Sequence, residues 1–230
     1  MPVNKKTYHN IVHALQPKNV ILVAVSKTKS VEEIMELYQL GHRDFGENYV
    51  QELTEKHILL PQDIRWHFIG HLQSKKVKYI SSFIYLVHGV DSIKLLQEIN
   101  KQGIKHKRVI DCLLQVHIAQ EETKFGLSEE ELDELFKALP AYEAVDGLTN
   151  ANIKGLMGIA SLTKDTKKIR AEFKYLNALF DKYSTIHTKH SEMKILSMGM
   201  SADYNIAVEE GSSMVRIGSL IFGERTYKII

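Results

Sequence analysis

Cysteine is all but missing: Cys112 is the single one in 230 residues, so no internal disulfide forms and it is expected to pack as a small hydrophobe. A dominant charge is missing too. Thirty Lys and Arg against 28 Asp and Glu leave a formal net charge of +2, which supplies no strong pull toward nucleic acid. The densest basic runs, Lys75-Lys76-Val77-Lys78 and residues 164–170, read as solvated helix faces. No apolar run approaches the roughly 18 residues of a membrane span, and residues 1–16 lack the apolar centre of a signal peptide. The expected setting is the cytoplasm, without a membrane partner. No low-complexity linker divides the chain, and 44% hydrophobic residues suffice for a large core, so residues 1–230 are expected to form one domain.

What is present is a rhythm. Residues 20–25 are uninterrupted and apolar, the pattern of a strand buried on both faces, and they stop at Ser26-Lys27. Ser30 then caps a helix, with Glu33 completing a capping box and Gly41 marking the stop. A weak strand at 43–45, a strand at 65–69 and further runs at 83–87, 109–118, 153–159, 193–196 and 214–217 alternate with amphipathic segments. The intervening segments predict a helix from 74, one capped at Asp91-Ser92 that ends at Gly103, one opened by a Ser128/Glu131 capping box, and others over 164–183 and 201–210. A helix over 3–15, ended by Pro17, precedes them all. The stretch 138–152 is expected to form an extra short helix. Eight such units at a period of roughly 29 residues predict a parallel (β/α)8 barrel. A doubly wound nucleotide-binding sheet would carry a glycine-rich turn after its first strand, where Ser26-Lys27-Thr28 stands instead.

A barrel gathers its chemistry at the C-terminal ends of its strands. Lys27, Glu47, Asn48, His67, Gly70, His71 and Arg216 fall at or after predicted strands. An ammonium at the rim of an apolar core is poorly solvated, which favours the neutral amine and makes Lys27 a candidate for Schiff-base formation with an aldehyde. Ser201 at the expected start of a helix, and Gly218-Ser219 after the last strand, look like a phosphate cradle, a site barrels often build after strands seven and eight. An amine opposite a phosphate cradle suits a phosphorylated aldehyde, and pyridoxal 5′-phosphate is the obvious one. His67 and His71 lack the glutamate of a helical zinc motif and read as satisfied barrel-mouth histidines, so no metal is expected. Glu47 reads equally as an acid/base carboxylate or as a partner for a nearby lysine.

Val23-Ala24-Val25-Ser26-Lys27-Thr28-Lys29, Phe45-Gly46-Glu47-Asn48-Tyr49, Trp66-His67-Phe68-Ile69-Gly70-His71, Gly155-Leu156-Met157-Gly158, Leu196-Ser197-Met198-Gly199-Met200-Ser201 and Val215-Arg216-Ile217-Gly218 together resemble the pyridoxal phosphate homeostasis protein family over nearly the whole chain. The resemblance implies a barrel like the N-terminal domain of alanine racemases, with Lys27 as the Schiff-base lysine and a role in vitamin B6 homeostasis. It further implies that Ser201, Gly218 and Ser219 hold the phosphate, that Arg216 faces the pyridine nitrogen, and that Asn48 lies beside the ring. An arginine there disfavours ring protonation and weakens the electron sink. With the sequence closing soon after Arg225, the expectation is a monomer without the racemase β-domain, binding the cofactor and supplying apo-enzymes that use it. Weak amino-acid racemisation is the alternative function. Lys124 offers a second candidate amine. The sequence departs from the family pattern at Ser30, where proline is frequent, at Ser213, where threonine is common, and in the length of 138–152.

Overall fold

Alternation along the first strand sets the architecture. In the computed structural model, which describes residues 3–119, 125–144, 148–186 and 191–223, Leu22 and Ala24 pack outward into the large helix-facing core while Val23 packs with Leu86, Leu113, Met157 and Met214. Residues from widely spaced strands meet in that second cluster only if the sheet closes on itself. It does: the eight strands run in sequence order around a closed barrel, with every pair parallel. In chain order the elements are α1 (Lys5–Leu15), β1 (Ile21–Val25), α2 (Val31–Gln39), β2 (Asp44–Glu47), α3 (Val50–Leu59), β3 (Arg65–Phe68), β4 (Leu86–Val90), α4 (Ile93–His106), β5 (Ile110–Val116), α5 (Glu129–Ala144), β6 (Ala151–Gly158), α6 (Thr166–Ser184), β7 (Ser191–Ser197), α7 (Tyr204–Glu209), β8 (Met214–Ile217) and α8 (Ser219–Phe222).

The local signals explain most of these boundaries. Both capping boxes form: Ser30 and Glu33 exchange hydrogen bonds across the start of α2, as Ser128 and Glu131 do before α5. Ser30, where the family often has proline, is thus the helix cap. Gly41 follows α2 in the left-handed region at φ 92°.

Four expectations are corrected. The fourth strand is Leu86–Val90, three residues later than its apolar run; Ile84 is buried from the segment just after a turn, and His88 and Gly89 disguised the strand's second half. Gly103 lies inside α4, which ends at Lys107 in the left-handed region. Its role is close approach, since a Cβ there would stand 2.6 Å from the Asn150 carbonyl oxygen. Between β3 and β4 the chain forms a 3₁₀ turn over Ser74–Tyr79 rather than an α-helix. Finally, the 138–152 stretch holds no extra helix among its described residues, because α5 continues through Pro140 to Ala144.

Candidate functional site

The turn that carries Lys27 is clamped from below. β1 ends at Val25, Ser26 is fully buried, and Thr28 adopts the left-handed region at φ 64°, rare for a β-branched residue. A charged cluster from β2 and α3 holds this geometry. The Ser26 hydroxyl donates to Glu47 Oε1 at 2.6 Å, and the Thr28 N–H donates to Glu52 Oε1 at 2.6 Å. Lys56 Nζ donates to the Ser26 carbonyl at 2.8 Å, to Glu47 Oε1 at 2.8 Å and to Glu52 Oε1 at 2.6 Å. Three donors meet three acceptors, the full capacity of an ammonium. Burial pushes the Glu47 carboxyl up to about 7, against the opposing pull of Lys56 and Ser26. Of the two roles open to Glu47, the geometry therefore gives it partnership with a lysine. Lys56 escaped the sequence reading, although its i,i+4 spacing from Glu52 on α3 was a usable signal.

Lys27, half-buried, lines a cleft of about 280 Å³ together with Val25, Ser201, Arg216, Gly218 and Ser219. The barrel seam explains the meeting: β1 pairs with β8, Val23 lying opposite Arg216 and Ala24 opposite Ile217. On the β8 side the Gly218 N–H donates to Ser201 Oγ at 3.3 Å. A hydroxyl that accepts there still has its own hydrogen to donate to an anion. Ser201 does not open a helix as expected. Asp203 Oδ1 accepts the Met200 N–H at 2.6 Å, closing a turn over 200–203, and α7 starts only at Tyr204.

Arg216 is 4% exposed and fixed, donating to Ser197 Oγ at 2.5 Å and to the Gly158 carbonyl at 2.9 Å. Burial lowers its guanidinium to about 10, opposed by the charge of Asp203, so it stays cationic at neutral pH. Five N–H donors are not exhausted by two bonds.

Asn48 lines the neighbouring clefts of about 570 and 290 Å³, both shared with Gly70 and His71, rather than the cleft of Lys27. Because Val25 pairs with Gly46, Lys27 and Asn48 leave adjacent strands at the same level. Its Oδ1 is buried without a partner among the described residues, as is Glu47 Oε2. A buried amide oxygen without a partner, one strand over from Lys27, suits a polar ligand that brings its own hydrogen-bond donor. His71 is at the mouth as expected, bonded to Asp91 at 3.0 Å and stacked on Phe125 at 4.0 Å. His67 is not: it lies inside the barrel, fully buried. Among the described residues no three His, Cys, Asp or Glu groups cluster to hold a metal ion. Lys124 lies outside the described residues.

Residues 5–226 match the family described as alanine racemase, N-terminal domain. The pyridoxal phosphate homeostasis protein of Aquifex aeolicus is 41% identical over 207 residues, covering 90% of this chain and 87% of its own. The human protein of the same name is 38% identical over 226 residues, covering 93% and 78%. The chain belongs to the pyridoxal phosphate homeostasis protein family. A solved structure of Synechococcus elongatus PipY with PLP bound is 31% identical, superposes with a TM-score of 0.83, and covers 95% of this chain and 99% of its own. Membership in the homeostasis family fits the cleft described above, where Lys27, just past β1, meets Arg216 on β8.

Proposed function

We propose that this chain binds pyridoxal 5′-phosphate and serves its homeostasis, holding the cofactor on Lys27 in the cleft between β1 and β8. The observation that carries the reading is the convergence of the Lys27 amine with Arg216, Ser201 and the Gly218–Ser219 backbone in a single cleft. The bound cofactor would supply an aldehyde that the Lys27 amine could take up as a C=N bond with loss of water. Ser201 and the backbone at Gly218 and Ser219 would hold the phosphate, the Gly218 N–H through its bond to Ser201 Oγ; Arg216 would face the pyridine nitrogen, and Asn48 would approach the ring from the adjoining cleft. The working setting is the cytoplasm, as a monomer that supplies apo-enzymes needing the cofactor; no described helix is long and apolar enough to cross a membrane. Titrating the protein with the cofactor and following visible absorbance tests the reading: saturable growth of a band is expected, and a spectrum identical to free cofactor would sink it.

Ser201→Ala removes one hydrogen bond to a charged oxygen, typically worth about 1.5–3 kcal/mol. Affinity should fall by roughly ten- to a hundredfold, read from the same titration. Binding as tight as wild type would mean the phosphate lies elsewhere.

Amino-acid turnover should be slow. The bound cofactor would supply an electron sink for carbanions, but Arg216 can only donate hydrogen bonds and keeps the ring nitrogen unprotonated. The described walls of the Lys27 cleft also contain no tyrosine, histidine or carboxylate to serve as a second acid or base. Such a group typically contributes about 10²–10⁴-fold. The check is α-proton exchange of L- and D-alanine and serine in deuterated water by NMR; exchange at about 1 s⁻¹ or faster, an ordinary enzymatic rate, would restore the racemase reading.

A further inference from the structure

Five buried polar side chains from five strands form one line through the barrel interior. Arg216 on β8 meets Ser197 Oγ on β7 at 2.5 Å. Ser197 Oγ meets His88 Nδ1 on β4 at 3.2 Å. His88 Nε2 meets His67 Nδ1 on β3 at 2.9 Å, and His67 Nε2 meets Asp44 Oδ1 on β2 at 3.1 Å. Asp44 is in turn gripped by the half-exposed Arg65, at 2.7 Å through Nε and 2.5 Å through a terminal nitrogen. Ser197, His88 and His67 are fully buried.

The two ends dictate the direction of every bond. A guanidinium only donates, and an ionised carboxylate only accepts. Ser197 therefore accepts from Arg216 and donates to His88 Nδ1; His88 donates from Nε2 to His67 Nδ1; His67 donates from Nε2 to Asp44. Every member is satisfied once, with both rings neutral. Adding a proton to His67 would turn its Nδ1–H against the Nε2–H of His88 and break the line. Burial lowers both histidines below their ordinary range, and the bonds from Arg65 and His67 hold Asp44 well below the carboxylate range despite its burial.

We infer that His67 and His88 are positioning residues, held as neutral Nε2–H tautomers in a one-way hydrogen-bond chain that aims Arg216 at the cofactor ring and keeps the ring nitrogen unprotonated. The inference rests on the proposed placement of the cofactor in the cleft. A buried network that served stability alone would leave the cofactor's electronic state unchanged when cut. This one is anchored on the residue that faces the ring, so cutting it should move the ring's signature.

The first test needs neither cofactor nor variant. ¹⁵N NMR of the protein at pH 7 should find Nε2–H with bare Nδ1 at both His67 and His88; an Nδ1–H tautomer or a cation at either ring overturns the chain. The second loads the protein with PLP ¹⁵N-labelled at the pyridine nitrogen. Wild type should show the unprotonated resonance. Ser197→Ala, the smallest cut, and His88→Gln, a second one, should each shift it toward the protonated position and displace the visible band, with circular dichroism unchanged. If Arg216→Ala moves the resonance and both cuts leave it in place, the positioning role is refuted while the reading of the cleft stands. If Arg216→Ala leaves it unmoved, the reading of the cleft fails and takes the positioning role with it.

Discussion

Lys27→Ala should abolish the visible band that forms with pyridoxal 5′-phosphate, and borohydride should no longer fix the cofactor to the chain. Only an amine forms the C=N bond, and the cleft offers one other, Lys29. That lysine is committed: its Nζ donates to the Phe222 carbonyl at 2.9 Å and lies 3.8 Å from Glu33. Reach to the aldehyde would require breaking the tie that holds α8. Borohydride reduction of wild type followed by peptide mapping should therefore find the adduct on Lys27. An adduct chiefly on another lysine, with Lys27 unmodified, would overturn the assignment. Phosphate-anchored binding should survive in the variant, because Ser201 and the β8 end are untouched.

The second large effect belongs to a residue that never touches the cleft. Lys56→Met removes the ammonium that ties Glu47, Glu52 and the Ser26 carbonyl together. Truncating one partner of a buried ion pair typically costs about 3–5 kcal/mol, a large part of the roughly 5–15 kcal/mol that holds a domain folded. The turn at 26–28 loses its clamp as well, so cofactor affinity should fall with stability. The pH dependence has a definite sign. Glu47 is raised in the folded protein from 4.5 to about 7, so its contribution to stability is fully present below about 4.5 and is lost as pH climbs through about 7. Without Lys56 the ionised carboxylate is costlier still. Urea unfolding should accordingly show the deficit of the variant growing from pH 5 to pH 8. Equal midpoints for variant and wild type at pH 8 would show that the cluster contributes nothing.

The barrel was legible because its strands announce themselves by local means: an apolar run, a cap and a stop within about 30 residues. That Lys27, Ser201, Arg216, Gly218 and Ser219 meet in one cleft was legible for a related reason, since the fold rule converts strand ends into neighbours. What failed shares one cause. His88, Ser197 and Asp44 sit at inward positions of strands distant in sequence, and nothing in the local pattern of Leu-Val-His-Gly-Val says that its histidine points at another. Gly103 misled for the same reason. Its partner, the Asn150 carbonyl, lies across the chain, so a glycine kept for close packing read as a helix stop. Lys56 reads locally as one more charge on a helix until β2 brings Glu47 against it.

The seam between β1 and β8 governs when the site can exist. Lys27 leaves the ribosome well before Arg216, Gly218 and Ser219, which follow it by about 190 residues. The register that joins Leu22 to Val215 spans almost the entire chain, a contact that forms only after the intervening strands are in hand. α1 waits on the same event, since the Asn4 N–H donates to the Ile221 carbonyl at 2.8 Å. A nascent or truncated polypeptide thus carries the amine without the anion grip beside it. On the proposed placement of the cofactor, capture of the aldehyde would be a property of molecules whose barrel has closed, and any local opening that parts the first strand from the last should release it.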